Sequence, residues 1–371
     1  IYIGSRKASN LGNSTMRKLF NDFIDRYFHD EESIILVFLL TVGLAVFLFF
    51  GSILTPLIAA LIIAYLMQGL VALLLKYGFT ERLAFGVVYI LFFGIFITML
   101  GFLLPQVWNQ LRRMMDELPN LLSQGQELLL NLPEIYPSLF SEEQVREFMD
   151  GLGGEIGGFG QAVLEYSLAS LPSVIAWVVF LVLVPILVFF MLKDKHELLD
   201  WVSNLLPRDR PLMSAIWREM DQQIANYVRG KFVEIIIVGS TAYLVFVILE
   251  LNYALLLSVI TGLSVIVPYI GAAVVNIPII AIAYVQWGIG AEFWTVIIAY
   301  NILQMLDGNV LVPIIFSEAV NLHPVAIIFA VLFFGGIWGL AGVFFAIPLA
   351  TFIQATINAW PSRVQSKPIA D

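Results

Sequence analysis

Long apolar runs separated by short polar intervals set the pattern of this chain. Ile34–Phe50, Ile53–Leu75 and Leu83–Leu104 come first, each near the roughly 20 residues that cross about 30 Å of hydrocarbon as a helix. Backbone polar groups in lipid must be satisfied within their own segment, so these runs read as helices and not as strands. Gly51-Ser52 reads as a tight reversal that makes the first two runs a helical hairpin.

The pattern changes over 105–160. Pro105, Pro119, Pro133 and Pro137 punctuate short stretches in which Leu111, Met114, Met115, Leu118, Leu121 and Leu122 share one helical face. GLGGEIGGFG (151–160) closes the region as a hinge-like linker. This is the profile of an amphipathic helical insertion outside the membrane. Residues 161–192 hold a fourth span, Pro172–Leu192. Over 193–232, Ile216, Met220, Ile224 and Val228 recur every four residues, the mark of an amphipathic segment along the membrane face.

Residues 233–360 carry six apolar segments, near 233–249, 253–267, 272–287, 293–306, 324–334 and 340–357. Several are too short to cross alone. Short segments interrupted by Gly and Pro predict half-helices or re-entrant hairpins, tolerated where protein or a watery cavity covers the freed backbone. VNIPII (275–280) and FAIPLA (345–350) align at an offset of 70 residues, each behind a glycine-rich turn, and mark a candidate repeat. The predicted class is an all-α polytopic membrane protein. It has about eight transmembrane helices, with one or two re-entrant or broken segments in the C-terminal half.

Composition supports this class. The 371 residues are 60% hydrophobic and 13% charged, with mean hydropathy +0.90, whereas soluble domains are about half apolar and a quarter charged. That excludes an ordinary soluble enzyme and a nucleic-acid module. Cysteine is absent and the three histidines are dispersed, so thiolate chemistry is excluded and neither a metal nor a cofactor is expected. The net charge of −9 says less than where each charge sits. Seven basic residues in 193–232 place that segment in the cytoplasm, and nine acids against three bases place 105–160 outside. The polar segment 1–33 and the tail 361–371, with Arg363 and Lys367, are then cytoplasmic. Residues 1–15, ahead of Met16, read as linker sequence outside the fold.

Three stretches carry candidate chemistry. In 301–324, Asn301, Gln304, Asp307, Asn309, Ser317, Glu318, Asn321 and His323 stand among apolar runs. Ionisable groups at membrane depth are costly and usually functional. Gly308 and Pro313 predict a helix break around Asp307, exposing carbonyls and a carboxylate to Na⁺ or H⁺. The alternative puts Asp307 at a solvated interface and His323 in a turn. The second stretch is Pro268-Tyr269-Ile270-Gly271 with Asn276 and Pro278, either the tip of a re-entrant hairpin or a plain interhelical turn. The third, FGGIWGLAGVFFAIP (334–348), has Gly335, Gly339 and Gly342 at spacings suited to close helix packing. Glu234 and Glu250, about 24 Å apart along one helix, read as its two ends. Phosphate-loop, HExxH and GxSxG signatures do not occur, so no enzyme is expected.

FFMLKDK (189–195), IANYVRGK (224–231), VPYIGA (267–272), LDGNVLVPIIFSEAVNLHP (306–324) and FGGIWGLAGVFFAIPLAT (334–351) resemble the autoinducer-2 exporter family of bacterial inner-membrane proteins, in its permease branch. The resemblance covers about residues 16–361. It implies about eight transmembrane helices, homopentamers with a domain that moves past a scaffold, and export of the furanone signal or Na⁺/H⁺ antiport. The motif residues it carries onto this chain are Pro268, Tyr269 and Gly271, then Asp307, Gly308, Asn309 and Pro313, then Asn321, His323 and Pro324. The expected function is a secondary transporter of a small polar solute, coupled to H⁺ or Na⁺. Its partners are the lipid bilayer, the solute, the coupling cation and further copies of itself, with no nucleic acid. A passive oligomeric channel and a non-transporting scaffold are the alternatives.

Overall fold

Helix is the regular structure of the chain, and no strand occurs among the described residues of the computed structural model. It describes residues 31–117, 171–268, 270–316 and 322–359, with positions 133, 141 and 143. Expectations for residues 1–30, nearly all of 118–170 and the tail after Ala359 lie outside this set.

In chain order the helices are α1 (Glu31–Lys76), α2 (Glu81–Glu117), α3 (Leu171–Lys193), α4 (Lys195–Asn204), α5 (Pro211–Ile248), α6 (Ala254–Ser264), α7 (Ile270–Trp287), α8 (Ala291–Phe316) and α9 (Pro324–Ala359). Among the described residues, five stretches are long and apolar enough to cross a membrane: Ile53–Lys76, α2, α5, α7 and α8. Shorter apolar helices accompany them, among them Val178–Lys193, Pro324–Gly339 and Gly342–Asn358. Their outward faces are greasy: Phe49 is 81% exposed and Ile90 73%. Such a surface is stable only in lipid or against another apolar face. The chain is an all-α polytopic membrane protein.

Two sequence expectations are corrected. Gly51-Ser52 does not reverse the chain. α1 runs through it unbroken, with the Thr55 hydroxyl donating to the Gly51 carbonyl at 3.3 Å. Glycine is well tolerated inside apolar helices. Nor do residues 211–232 form a separate amphipathic piece. Pro211 opens α5 in the first turn, where its missing N–H costs nothing, and the helix continues to Ile248.

The described residues divide into two compact units. The larger draws on Pro56–Lys193 and Val228–Ser317. In it, α1, α2 and α3 bury Ala60, Phe92, Val184 and Val188 against one another. A second core joins α5 to α8 through Ala242, Phe246, Leu257, Ile279, Val296 and Tyr300. α6 and α7 make a tight hairpin. A Cβ built on Gly271 would run into the Ser264 carbonyl, so the second arm starts hard against the end of the first.

The smaller unit draws on Ile1–Thr55, Asp194–Tyr227 and Glu318–Asp371. Leu36, Met213 and Ile216 form its core. The Glu32 carboxylate takes the free N–H groups of Leu212 (3.2 Å) and Met213 (2.7 Å) at the start of α5. α9 is two helices in sequence. The chain reverses at Gly339, whose φ of 60° and ψ of −138° break the helix, and a Cβ on Gly342 would meet the Phe334 carbonyl. Pro348 cannot donate to the Phe344 carbonyl. The Tyr227 hydroxyl donates there instead, at 3.1 Å.

The 70-residue echo therefore has a structural counterpart. Ser264 and Phe334 present the crowding carbonyls, and Pro278 and Pro348 sit in the second arms, both pairs 70 positions apart.

Candidate functional site

α8 carries the polar residues. Tyr300, Gln304 and Asp307 are spaced i, i+4, i+7 and share a face. Gly308 and Pro313 do not break the helix. It widens into a π turn over Asp307–Leu311, in which the Val312 N–H reaches the Asp307 carbonyl. Pro313 follows at once, with no N–H of its own and a ring that crowds the carbonyl four residues back; the wider turn accommodates it. α2 repeats the device. A π turn over Met99–Leu103, closed by the Leu104 N–H on the Met99 carbonyl, directly precedes Pro105.

α5 presses on the end of α8 where it has no side chain. A Cβ on Gly230 would lie 2.7 Å from both Ile315 Cγ2 and Phe316 Cε1. That contact buries the next residue. Lys231 is 5% exposed and Glu234, one turn on, 1%. Lys231 Nζ donates to Glu234 Oε2 at 2.8 Å and lies 5.4 Å from the Phe316 ring centroid, a cation–π distance. Asp307 is half-buried and acts electrostatically on both members of this pair. Its Oδ1 is shielded and has no hydrogen-bond partner among the described residues.

A polar path runs from Gln304, on the same face of α8 as Asp307, to the α6–α7 hairpin. Gln304 Nε2 donates to the Tyr300 hydroxyl at 2.9 Å, and Tyr300 donates to the Ala272 carbonyl at 2.8 Å, next to Gly271. Asn276, one turn further on the same face as Ala272, has a buried Oδ1 that is also unpartnered among the described residues. The two stretches singled out in the sequence, 268–271 and 301–309, are thus joined through Tyr300.

The remaining expected residues are placed as follows. Gly308, Asn309 and Pro313 are exposed, and Asn309 Nδ2 donates to the Met305 carbonyl at 2.9 Å. Pro268 lies in the hairpin turn, its carbonyl accepting the Ile270 N–H at 2.7 Å. His323, in the smaller unit, is exposed, and its Nδ1 accepts the Val325 N–H at 3.2 Å at the start of α9. Tyr269, Glu318 and Asn321 lie outside the described residues. Sequence reading missed Lys231, which it counted with the cytoplasmic bases, and Tyr300. It took Glu234 for a helix end, but Glu234 lies inside α5 and is ion-paired; Glu250 does lie just past the end of that helix, at φ 54°. The usable signal was Gly230-Lys231 with an acid three residues on. Among the described residues no cluster of His, Cys, Asp and Glu is arranged to hold a metal ion.

One cation, two carboxylates and a chain of hydroxyl and amide groups, set beside the apolar core of α5 to α8, can bind or release a small cation, or hydrogen-bond a polar solute. Comparison with known proteins bears on which. Residues 35–362 match the AI-2E family transporter family. "Putative permease PerM" of Escherichia coli (strain K12) is 44% identical over 346 residues, 93% of this chain and 98% of that protein. "Putative transport protein YrrI" of Bacillus subtilis (strain 168) is 28% identical, over 82% and 85% of the two chains. "AI-2 transport protein TqsA" of E. coli (strain K12) is 23% identical, over 88% and 91%. On this coverage the chain belongs to the AI-2E transporter family, and it is a multi-pass membrane transport protein.

Proposed function

We propose that the chain is a secondary active transporter of the bacterial inner membrane, moving a small polar solute of the autoinducer-2 kind named for TqsA, coupled to H⁺ or Na⁺. The observation that carries this reading is Asp307: a carboxylate on a π turn inside a membrane-length helix, with a shielded oxygen that nothing described satisfies. Such a group is expensive at membrane depth and is kept where an ion or solute uses it. Asp307 binds the coupling ion, and the hairpin around Pro268 and Gly271, tied to α8 through Tyr300, opens and closes the path. Both tight hairpins, α6–α7 and the one turning at Gly339, enter the membrane as re-entrant pieces. Both termini are cytoplasmic, in keeping with the placement of Lys and Arg. Several copies assemble, as the family resemblance implies.

The test is flux in proteoliposomes with a panel of small polar solutes under imposed pH and Na⁺ gradients. Asp307→Asn abolishes gradient-driven flux while the protein still assembles. Unchanged flux in this variant removes Asp307 from the mechanism, and flux that ignores every gradient makes the protein a passive channel.

A further inference from the structure

We propose that Lys231, Glu234 and Asp307 form a single proton-binding site, so that the coupling ion of the transport reading, on which this inference rests, is H⁺ and not Na⁺. The argument begins with charge. Fully ionised, the three groups sum to one negative charge where Lys231 and Glu234 are buried, and one added cation cancels it. The charges of Lys231, Glu234 and Asp307 act on one another. Gly230, Ile315 and Phe316, which close the site, contribute none.

The chemistry of the surroundings then selects the cation. A sodium ion needs several oxygen ligands and an absence of neighbouring positive charge. Here an ammonium is already in place, fixed 2.8 Å from Glu234. A proton needs one lone pair and no coordination shell. Asp307 Oδ1 offers that lone pair, shielded and unpartnered among the described residues.

The exchange balances without a co-reactant. A proton from water forms an O–H bond on the Asp307 carboxylate, and Lys231 stays with Glu234. When the proton leaves, two carboxylates compete for one ammonium. Lys231 has three N–H donors and makes one hydrogen bond among the described residues, so it has donors to spare for Asp307. Binding and loss of the proton thereby alter the contact between α5 and the π turn of α8.

The experiment uses the full chain in lipid nanodiscs, titrated with acid and base and followed by infrared spectroscopy. A protonated carboxylic acid gives a carbonyl band that shifts in D₂O. The band is expected to titrate in the native chain, to vanish in Asp307→Asn, and to titrate at a displaced midpoint in the double variant Lys231→Met with Glu234→Gln, which leaves no unpaired buried charge. Adding NaCl against choline chloride at fixed pH leaves it unchanged. A band that survives in Asp307→Asn, or one that Na⁺ removes at constant pH, overturns the proposal. Flux separates the two readings. A proton-titrating site in a protein that moves no solute under any gradient defeats the transporter and leaves the site. Solute flux driven by a Na⁺ gradient alone defeats the site and leaves the transporter.

Discussion

The backbone carbonyl of Ser264 occupies the space that a side chain on Gly271 would need. The turn between α6 and α7 is therefore set by one missing methyl group. Gly342 stands in the same relation to the Phe334 carbonyl. A backbone carbonyl cannot rotate aside as a side chain does, so Gly271→Ala and Gly342→Ala should each destabilise the protein by about 1–3 kcal/mol, the range for overpacking. Gly336 meets nothing within 4 Å, and Gly336→Ala should be neutral or slightly stabilising. Unfolding in mixed micelles, compared across the three variants, checks the ordering.

Lys231 and Glu234 make a buried pair whose members depend on each other. Removing one leaves the other charged and unsolvated, which typically costs about 3–5 kcal/mol. Replacing both with neutral groups of similar shape costs far less. Lys231→Met should thus be severely destabilised, and Lys231→Met with Glu234→Gln should recover most of the loss. A double-mutant cycle measures this coupling. Additive losses would show that the two groups do not share their burial.

How much of this was legible beforehand follows from what lipid does to sequence. In a membrane, hydropathy reports solvent directly, so the apolar segments from 253 to 357 fall within a few residues of α6, α7 and the arms of α9, whereas α8 runs to Phe316, ten residues beyond the segment 293–306. Gly51-Ser52 misled because glycine punctuates soluble helices more than apolar ones. The Lys231–Glu234 pair was hidden for another reason. Charges spaced i, i+3 are ordinarily a solvated helix face, and what buries them is the bare backbone of Gly230 against Phe316, a contact between residues far apart in the chain. Asp307 could be found because an acid in an apolar run is conspicuous. Tyr300 could not, since an aromatic residue in such a run is unremarkable until its hydroxyl is seen to bridge α8 to Ala272.

Glu32 holds the start of α5 across 180 residues of sequence. Both of its carboxylate oxygens accept first-turn N–H groups that α5 cannot satisfy internally, and the negative charge favours that end of the helix dipole. Glu32→Ala should cost about 1–2 kcal/mol, within the range for losing an N-terminal cap. Glu32→Gln, which keeps an oxygen acceptor but loses the charge, should fall between the two. Hydrogen exchange at Leu212 and Met213 gives a local readout, with faster exchange expected there in both variants.

Outside the spans, Tyr253 stands at the start of α6, where charges at the end of α2 act on it. Burial pushes its phenol up to about 12, and the negative charge of the Glu117 carboxylate adds to the shift, while Arg113 opposes it. The sign follows from linkage. The folded phenol holds its proton more tightly than an unfolded one, whose value is near 10, so the contribution of the neutral phenol is complete below about pH 10 and is lost as pH rises towards about 12. Absorbance titration of tyrosinate should reveal a late-ionising phenol that disappears in Tyr253→Phe and ionises earlier in Glu117→Gln. Melting temperature should fall more steeply between those two pH values in the native chain than in Tyr253→Phe. Equal slopes would mean that the Tyr253 phenol adds nothing to the junction of α2 with α6.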